Sequence, residues 1–229
     1  MKILTPLLAL ALLASPLSAS ENNTLTPQER EDGWQLLFDG RSLDGWRSLK
    51  SDAPGGGWRV INGEIVLVQH AGDLLTAAEF GDFELSIEWK VEDATNSGII
   101  YRVGLQENAT WRTGPEYQVL DNRKATDNHD PKHLAGALYD LVAPPGDFTK
   151  PVGGWNLARL VVRGWHIQHW MNGVKIVDVD LASPEGRSLI ANSKFRSMPL
   201  FATLARGHIA LQDEDHSVWY RNIRIRELK

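Results

Sequence analysis

Phe83-Glu84-Leu85-Ser86-Ile87-Glu88-Trp89-Lys90-Val91 is the stretch whose reading decides the fold. Phe83, Leu85, Ile87, Trp89 and Val91 fall on one face, and Glu84, Ser86, Glu88 and Lys90 on the other. Period two over such a length predicts a strand with one buried and one wet face. Working outward, Trp58–Ile61 and Glu64–Val68 flank Asn62-Gly63, while Ile167–Met171 and Val174–Val179 flank Asn172-Gly173. Asn-Gly accepts the two positive φ values of a type I′ turn, so both pairs predict hairpins. Trp34–Phe38, Ile99–Val103, Glu116–Leu120, Gly136–Val142, Asn156–Val162, Ile209–Gln212 and Val218–Leu228 read as further strands. Ser183-Pro184-Glu185 reads as an N-cap with Pro at the first helical position, which predicts one short helix over Pro184 to Lys194. Short strands without alternating helices predict an all-β, antiparallel two-sheet jelly-roll sandwich of concanavalin A-like type.

Residues 1–20 read as a signal peptide: Lys2, an apolar run from Leu4 to Leu13, then small residues from Ala14 to Ser20. This predicts a periplasmic or secreted protein. Residues 21–31 read as a flexible lead-in, and 32–229 as a single β-sandwich domain. The 229-residue chain has no cysteine, so it has neither a lipoprotein anchor residue nor a disulfide, and no membrane anchor is expected. Net charge is −5 for the whole chain, with 24 basic and 29 acidic residues. Without residues 1–20, which carry only Lys2, it is 23 − 29 = −6. A mildly acidic chain with interspersed charges excludes a nucleic-acid partner. Nine tryptophans are the compositional oddity: several belong in the core, and a subset at a wet surface would suit the apolar face of a sugar ring.

Several chemistries leave no trace. There is no P-loop, dinucleotide fingerprint, HExxH helix or GxSxG elbow. The Glu-x-Asp-x-Glu strand of retaining β-glucanases is missing too, and Asp178-Val179-Asp180 reads as a solvated strand end. What remains is polar residues on apolar strands: Glu116 and Gln118 on one face, Arg102 on the face of Ile100, Glu88 on the wet face of the long strand, His169 between Ile167 and Met171, and Asp140. A loop cluster of Asp127, His129, Asp130 and His133 has ligand-type side chains of the kind that polar loops collect.

A series of motifs in order then resembles a known family. These are Asp82 through Lys90, Asn96-Ser97-Gly98-Ile99 to Arg102, Gly114 to Asp121, Gly136 to Asp140, and Gly154-Trp155-Asn156. His169 to Gly173, Ser193-Lys194-Phe195, Gly207 to Asp213 and Val218 to Ile223 complete the series. Together they resemble the 3-keto-disaccharide hydrolase domain family. The family usually follows Leu-Gln-Asp with His-Gly, whereas here Asp213 is followed by Glu214 and Asp215, with His216 two places late.

The resemblance implies a sandwich fold, bacterial export, and cleavage of glycosides that carry a ketone at sugar carbon 3. Such a ketone acidifies the C2 proton. A base removes it and the C1 oxygen is expelled; water then adds to the unsaturated sugar for net hydrolysis, or, where it does not add, the enzyme behaves as a lyase. That route differs from the two-carboxylate chemistry of ordinary glycosidases. On this reading Glu116 or His169 is the base, Asp140 the acid or its orienter, and Arg102 the cation at the enolate. Glu88, Gln118, Trp170, Asn156 and Asp213 are sugar contacts. A divalent metal ion could replace Arg102 in the electrostatic role. The substrate is a small molecule or oligosaccharide, supplied by an upstream sugar 3-dehydrogenase. A non-catalytic, lectin-like carbohydrate-binding domain is the alternative.

Overall fold

The computed structural model describes residues 22–214 and 216–229. The signal peptide expected at 1–20 lies outside the described residues. Within them, thirteen strands form in chain order: β1 (Gln35–Leu36), β2 (Trp46–Ser48), β3 (Trp58–Ile61), β4 (Glu64–Leu67), β5 (Leu74–Thr76), β6 (Phe83–Val91), β7 (Asn96–Val103), β8 (Glu116–Leu120), β9 (Asn156–Arg163), β10 (His166–Met171), β11 (Val174–Asp180), β12 (His208–Leu211) and β13 (Val218–Glu227). The larger sheet runs β11-β10-β9-β6-β13-β4-β3, with β1 also paired to β13. The smaller runs β2-β5-β12-β7-β8. All pairings are antiparallel, and consecutive strands repeatedly cross between sheets, as in a jelly roll.

The long alternating strand β6 sits in the middle of the larger sheet, between β9 and β13. Phe83, Leu85, Ile87, Trp89 and Val91 enter the core between the sheets. They meet Ile99, Tyr101, Tyr117, Val119, Ile209 and Leu211 from the smaller sheet. Each such side chain contributes roughly 2 kcal/mol of burial, which has to offset chain entropy without disulfides. The opposite face of β6 is less wet than its alternation predicts, because neighbouring strands lay arginines across it. Glu84 is buried, and it accepts from Arg159 Nε at 2.5 Å and from Arg226 Nη2 at 2.6 Å.

Both Asn-Gly turns form with positive φ at both residues: 53° and 77° at Asn62-Gly63, 49° and 86° at Asn172-Gly173. A helix spans Pro184–Ala191, N-capped by the Ser183 side chain on the Gly186 amide. Gly136–Val142 is not a strand. Leu138 makes only isolated bridges, to Tyr117 and Val142, and positive φ at Gly136 and Asp140 folds the segment into turns. The stretch expected as a flexible lead-in is fastened down. Asn23 and Asn222 exchange amide-to-side-chain hydrogen bonds at 2.6 and 2.9 Å, and Leu25 is buried. Thr26 and Glu29 then close a capping box on a five-residue helix, Pro27–Glu31. No helix among the described residues is long and apolar enough to cross a membrane.

Candidate active site

The smaller sheet has two unlike faces. Tyr117 and Val119 of β8 point into the core, so Glu116 and Gln118 point outward. On β7 the outward positions opposite them are Asn96, Gly98 and Ile100. Loops roof this outer face and close a cavity of about 170 Å³ over it. Glu116, Gln118 and Asn96 form its floor, and Trp111, Asp127, Tyr139, Lys194, Gln212 and Glu214 its walls and rim.

Glu116 is 4% exposed, and its carboxylate lies over Gly98. A Cβ on Gly98 would stand 2.1 Å from Glu116 Oε1, so only glycine leaves room for that side chain. Burial is the main force on the carboxyl and pushes its pKa from 4.5 to about 8. The Lys194 ammonium opposes the rise, while Asp73, Glu214 and Asp127 add to it. The Gln118 amide has Asn96 Oδ1 at 3.0 Å. Turned the other way, it donates to Glu116 Oε1 at 2.9 Å and to the Ser97 carbonyl at 3.1 Å.

The walls are themselves braced. The Tyr139 hydroxyl donates to Asp127 Oδ2 at 2.6 Å. Burial first, then that hydrogen bond, raise its pKa well above the phenol range, so it stays protonated. His133 stacks on Tyr139 with ring centroids 4.4 Å apart, and its Nδ1 is 2.7 Å from Asp127 Oδ1. Lys194 Nζ lies 4.2 Å from the Tyr139 ring centroid and 5.2 Å from that of Trp111, a cation held between two aromatic faces. Asp140 stands behind this wall. Its Oδ2 accepts from the Lys194 amide at 2.6 Å, so it positions Lys194 and does not line the cavity.

The other expected site residues lie elsewhere. His169 is 0% exposed in the core, with Nε2 3.0 Å from the Tyr101 hydroxyl and Nδ1 3.1 Å from the Gly136 carbonyl. Burial lowers its pKa from 6.5 to about 4, which leaves it neutral and unable to reach a substrate. Arg102 adopts φ 53°, which turns it out of the β7 alternation. It is spent on the Gly81 and Gly164 carbonyls and on Asp82 Oδ1 at 2.9 Å. Glu88 is on the outer face of the other sheet, paired with Arg221 at 2.8 Å and Asn222 at 2.9 Å. Trp170 is on that sheet too, under Arg159 and Lys175. Asn156 is buried and pins the Lys150 amide and Asn172.

Asp213 is near the site but serves a loop. Its Oδ2 accepts from the Ala71 and Gly72 amides at 2.5 and 2.6 Å, and its Oδ1 is 2.9 Å from His70 Nδ1. His216 does not line the Glu116 cavity; with His70 and Ser217 it lines a neighbouring one that meets it at Glu214. Among the described residues, no three His, Cys, Asp or Glu side chains converge as a metal site requires. Lys194 is the cation of the cavity. Lys194 and Tyr139 were legible only as members of the ordered motifs, and Asp127 only as one of a polar loop cluster.

Two antiparallel sheets with a carboxyl-floored cavity on the outer face of the smaller one define a jelly-roll β-sandwich protein. The chain belongs to the 3-keto-alpha-glucoside-1,2-lyase-like domain family, which it matches over residues 33–226. It is 31% identical to a 3-keto-disaccharide hydrolase of Bacteroides thetaiotaomicron, over 93% of this chain and 84% of that protein. A solved structure of a candidate glycosyl hydrolase from Parabacteroides distasonis superposes with a TM-score of 0.86 at 26% identity, covering 91% of this chain and all of that one. A second from the same organism gives 0.72 at 26% identity, covering 85% and 99%.

Proposed function

We propose that this protein cleaves the glycosidic bond of 3-keto-glycosides by removing the C2 proton and expelling the C1 oxygen, with water adding afterwards. The observation that carries the reading is Glu116. It is a carboxyl at the floor of a sugar-sized cavity, made basic enough by burial to take a proton that a neighbouring ketone has acidified. As that proton leaves, negative charge grows on the C3 oxygen. Lys194 supplies the facing positive charge in a partly dewatered site. Gln118 and Asn96 offer amide groups to the sugar hydroxyls, and Trp111 offers a ring face.

A lectin gains nothing from burying a carboxyl and raising its pKa into the range of a general base, which favours the enzyme over the carbohydrate-binding alternative. The N-terminal pattern at residues 1–20 supports export to the periplasm or beyond. The substrate's C3 ketone requires a sugar 3-dehydrogenase upstream. Incubation with a 3-keto-disaccharide and with its unoxidised parent tests the reading. The expected outcome is release of a 3-keto-monosaccharide or an ultraviolet-absorbing enone from the first alone. Cleavage of the unoxidised disaccharide, or binding of both without turnover, contradicts it.

A further inference from the structure

A second cavity of about 400 Å³ adjoins the Glu116 cavity. The two share Trp111, Gln212 and Glu214 in their walls, so they are two lobes of one cleft. The second lobe differs in character. Leu49, Ala71, Ala109 and Trp111 give it apolar walls, and Leu49 and Trp111 pack on a small cluster of Leu75, Ile100, Val103 and Ala210. Its ionisable wall residues include Asp73, which nothing in the proton abstraction uses.

We infer that this lobe receives the departing group of the 3-keto-glycoside, a ring alcohol with an apolar face, and that Asp73 delivers the proton its oxygen needs. The inference rests on the reaction proposed above. Asp73 is held from both sides. Its Oδ1 accepts from the Asp213 amide at 2.9 Å, and its Oδ2 from the Thr110 hydroxyl. Asp213 is in turn locked to the Ala71 and Gly72 amides, so the carboxyl keeps one position against the cavity. Burial is the largest influence on Asp73 and raises its pKa. The Thr110 and Asp213 hydrogen bonds oppose the rise, and the Asp213 charge adds to it.

The negative charge of Asp73 also raises Glu116. Repulsion between the two carboxylates disfavours the doubly ionised state. The elimination runs from the form in which Glu116 is ionised and Asp73 is protonated. Glu116 takes the C2 proton, and the electron pair of that bond, held first in the enolate, becomes the C1–C2 double bond. The C1–O bond breaks, its pair leaves on oxygen, and the Asp73 proton neutralises that oxygen. Glu116 ends protonated and Asp73 ionised, so charge is conserved.

The test compares leaving groups. Asp73→Asn is assayed on a 3-keto-disaccharide, whose alcohol leaves poorly, and on 4-nitrophenyl 3-keto-glucoside, whose phenolate needs no proton. The expected result is a loss of about 100-fold or more in kcat/KM on the first and less than about tenfold on the second. Equal loss on both, or no loss on either, overturns the acid role. Ala109→Trp narrows the same lobe without touching Asp73. It is expected to raise KM for the disaccharide and leave inhibition by free 3-keto-glucose unchanged. Equal weakening of both, or of neither, overturns the lobe assignment. Wild-type protein inert toward both glycosides overturns the underlying reaction, a result distinct from either of these.

Discussion

The Glu116 carboxylate rests on Gly98 of the neighbouring strand, at a spot where a methyl group would stand 2.1 Å from Oε1. The position of the carboxyl, its burial and its raised pKa all depend on that missing side chain. Gly98→Ala is therefore expected to push Glu116 off the floor of the cavity while β7 and β8 stay paired. A displacement near 1 Å costs on the order of 100-fold in rate. Measuring kcat/KM on a 3-keto-disaccharide beside a thermal melt checks this; unchanged turnover would show that Glu116 does not need this seat.

Glu116 also makes stability depend on pH in a definite direction. Its pKa is 4.5 when unfolded and about 8 when folded, so the folded protein holds a proton that the unfolded chain releases between those values. Stability therefore falls as pH rises through that window. Glu116→Gln removes the dependence. Relative to wild type, the variant is expected to gain stability from pH 5 to pH 9, by up to about 4 kcal/mol. Urea unfolding at the two pH values reads the difference, and a constant difference would contradict the burial of an ionisable carboxyl here.

Lys194 opposes the rise in the Glu116 pKa. Lys194→Met removes the ammonium, so the base is harder to ionise. The ascending limb of the pH–rate profile is expected to move to higher pH and the plateau to fall, because the enolate loses its counter-charge. A limb that stays in place would separate Lys194 from Glu116.

His169 titrates with the opposite sign. Its pKa drops from 6.5 to about 4 on folding, so its contribution is complete above pH 6.5 and is lost as pH falls toward 4. His169→Gln is expected to cost about 1–3 kcal/mol at pH 8, through the Tyr101 and Gly136 partners it leaves, and less at pH 5. The pH–rate limb should not move. A shifted limb in this variant would return His169 to the chemistry.

These residues show what the sequence could and could not disclose. Glu116 and Gln118 were legible because two long polar side chains at alternate positions of an apolar strand declare a common face. Glu88 obeys the same rule and belongs elsewhere, because alternation assigns a face of a strand and not the sheet that holds it. Arg102 follows Ile100 at the right spacing, but its positive φ breaks the alternation, and no local signal forecasts that at an arginine. Lys194 and Tyr139 come from non-strand segments whose approach to β8 is set by long-range packing. Only the ordered motifs carried them. The fold was more legible, since the long strand and both Asn-Gly turns are local features with one conformational outcome each.

The central claim is that Glu116 takes the C2 proton of a 3-keto sugar. The most direct measurement is the primary kinetic isotope effect with substrate deuterated at C2, for wild type and Glu116→Gln, across the limb near pH 8. The account predicts a clear effect above one in wild type, a rate that climbs as Glu116 ionises, and loss of turnover in the variant. An isotope effect of one together with full activity in Glu116→Gln would contradict it.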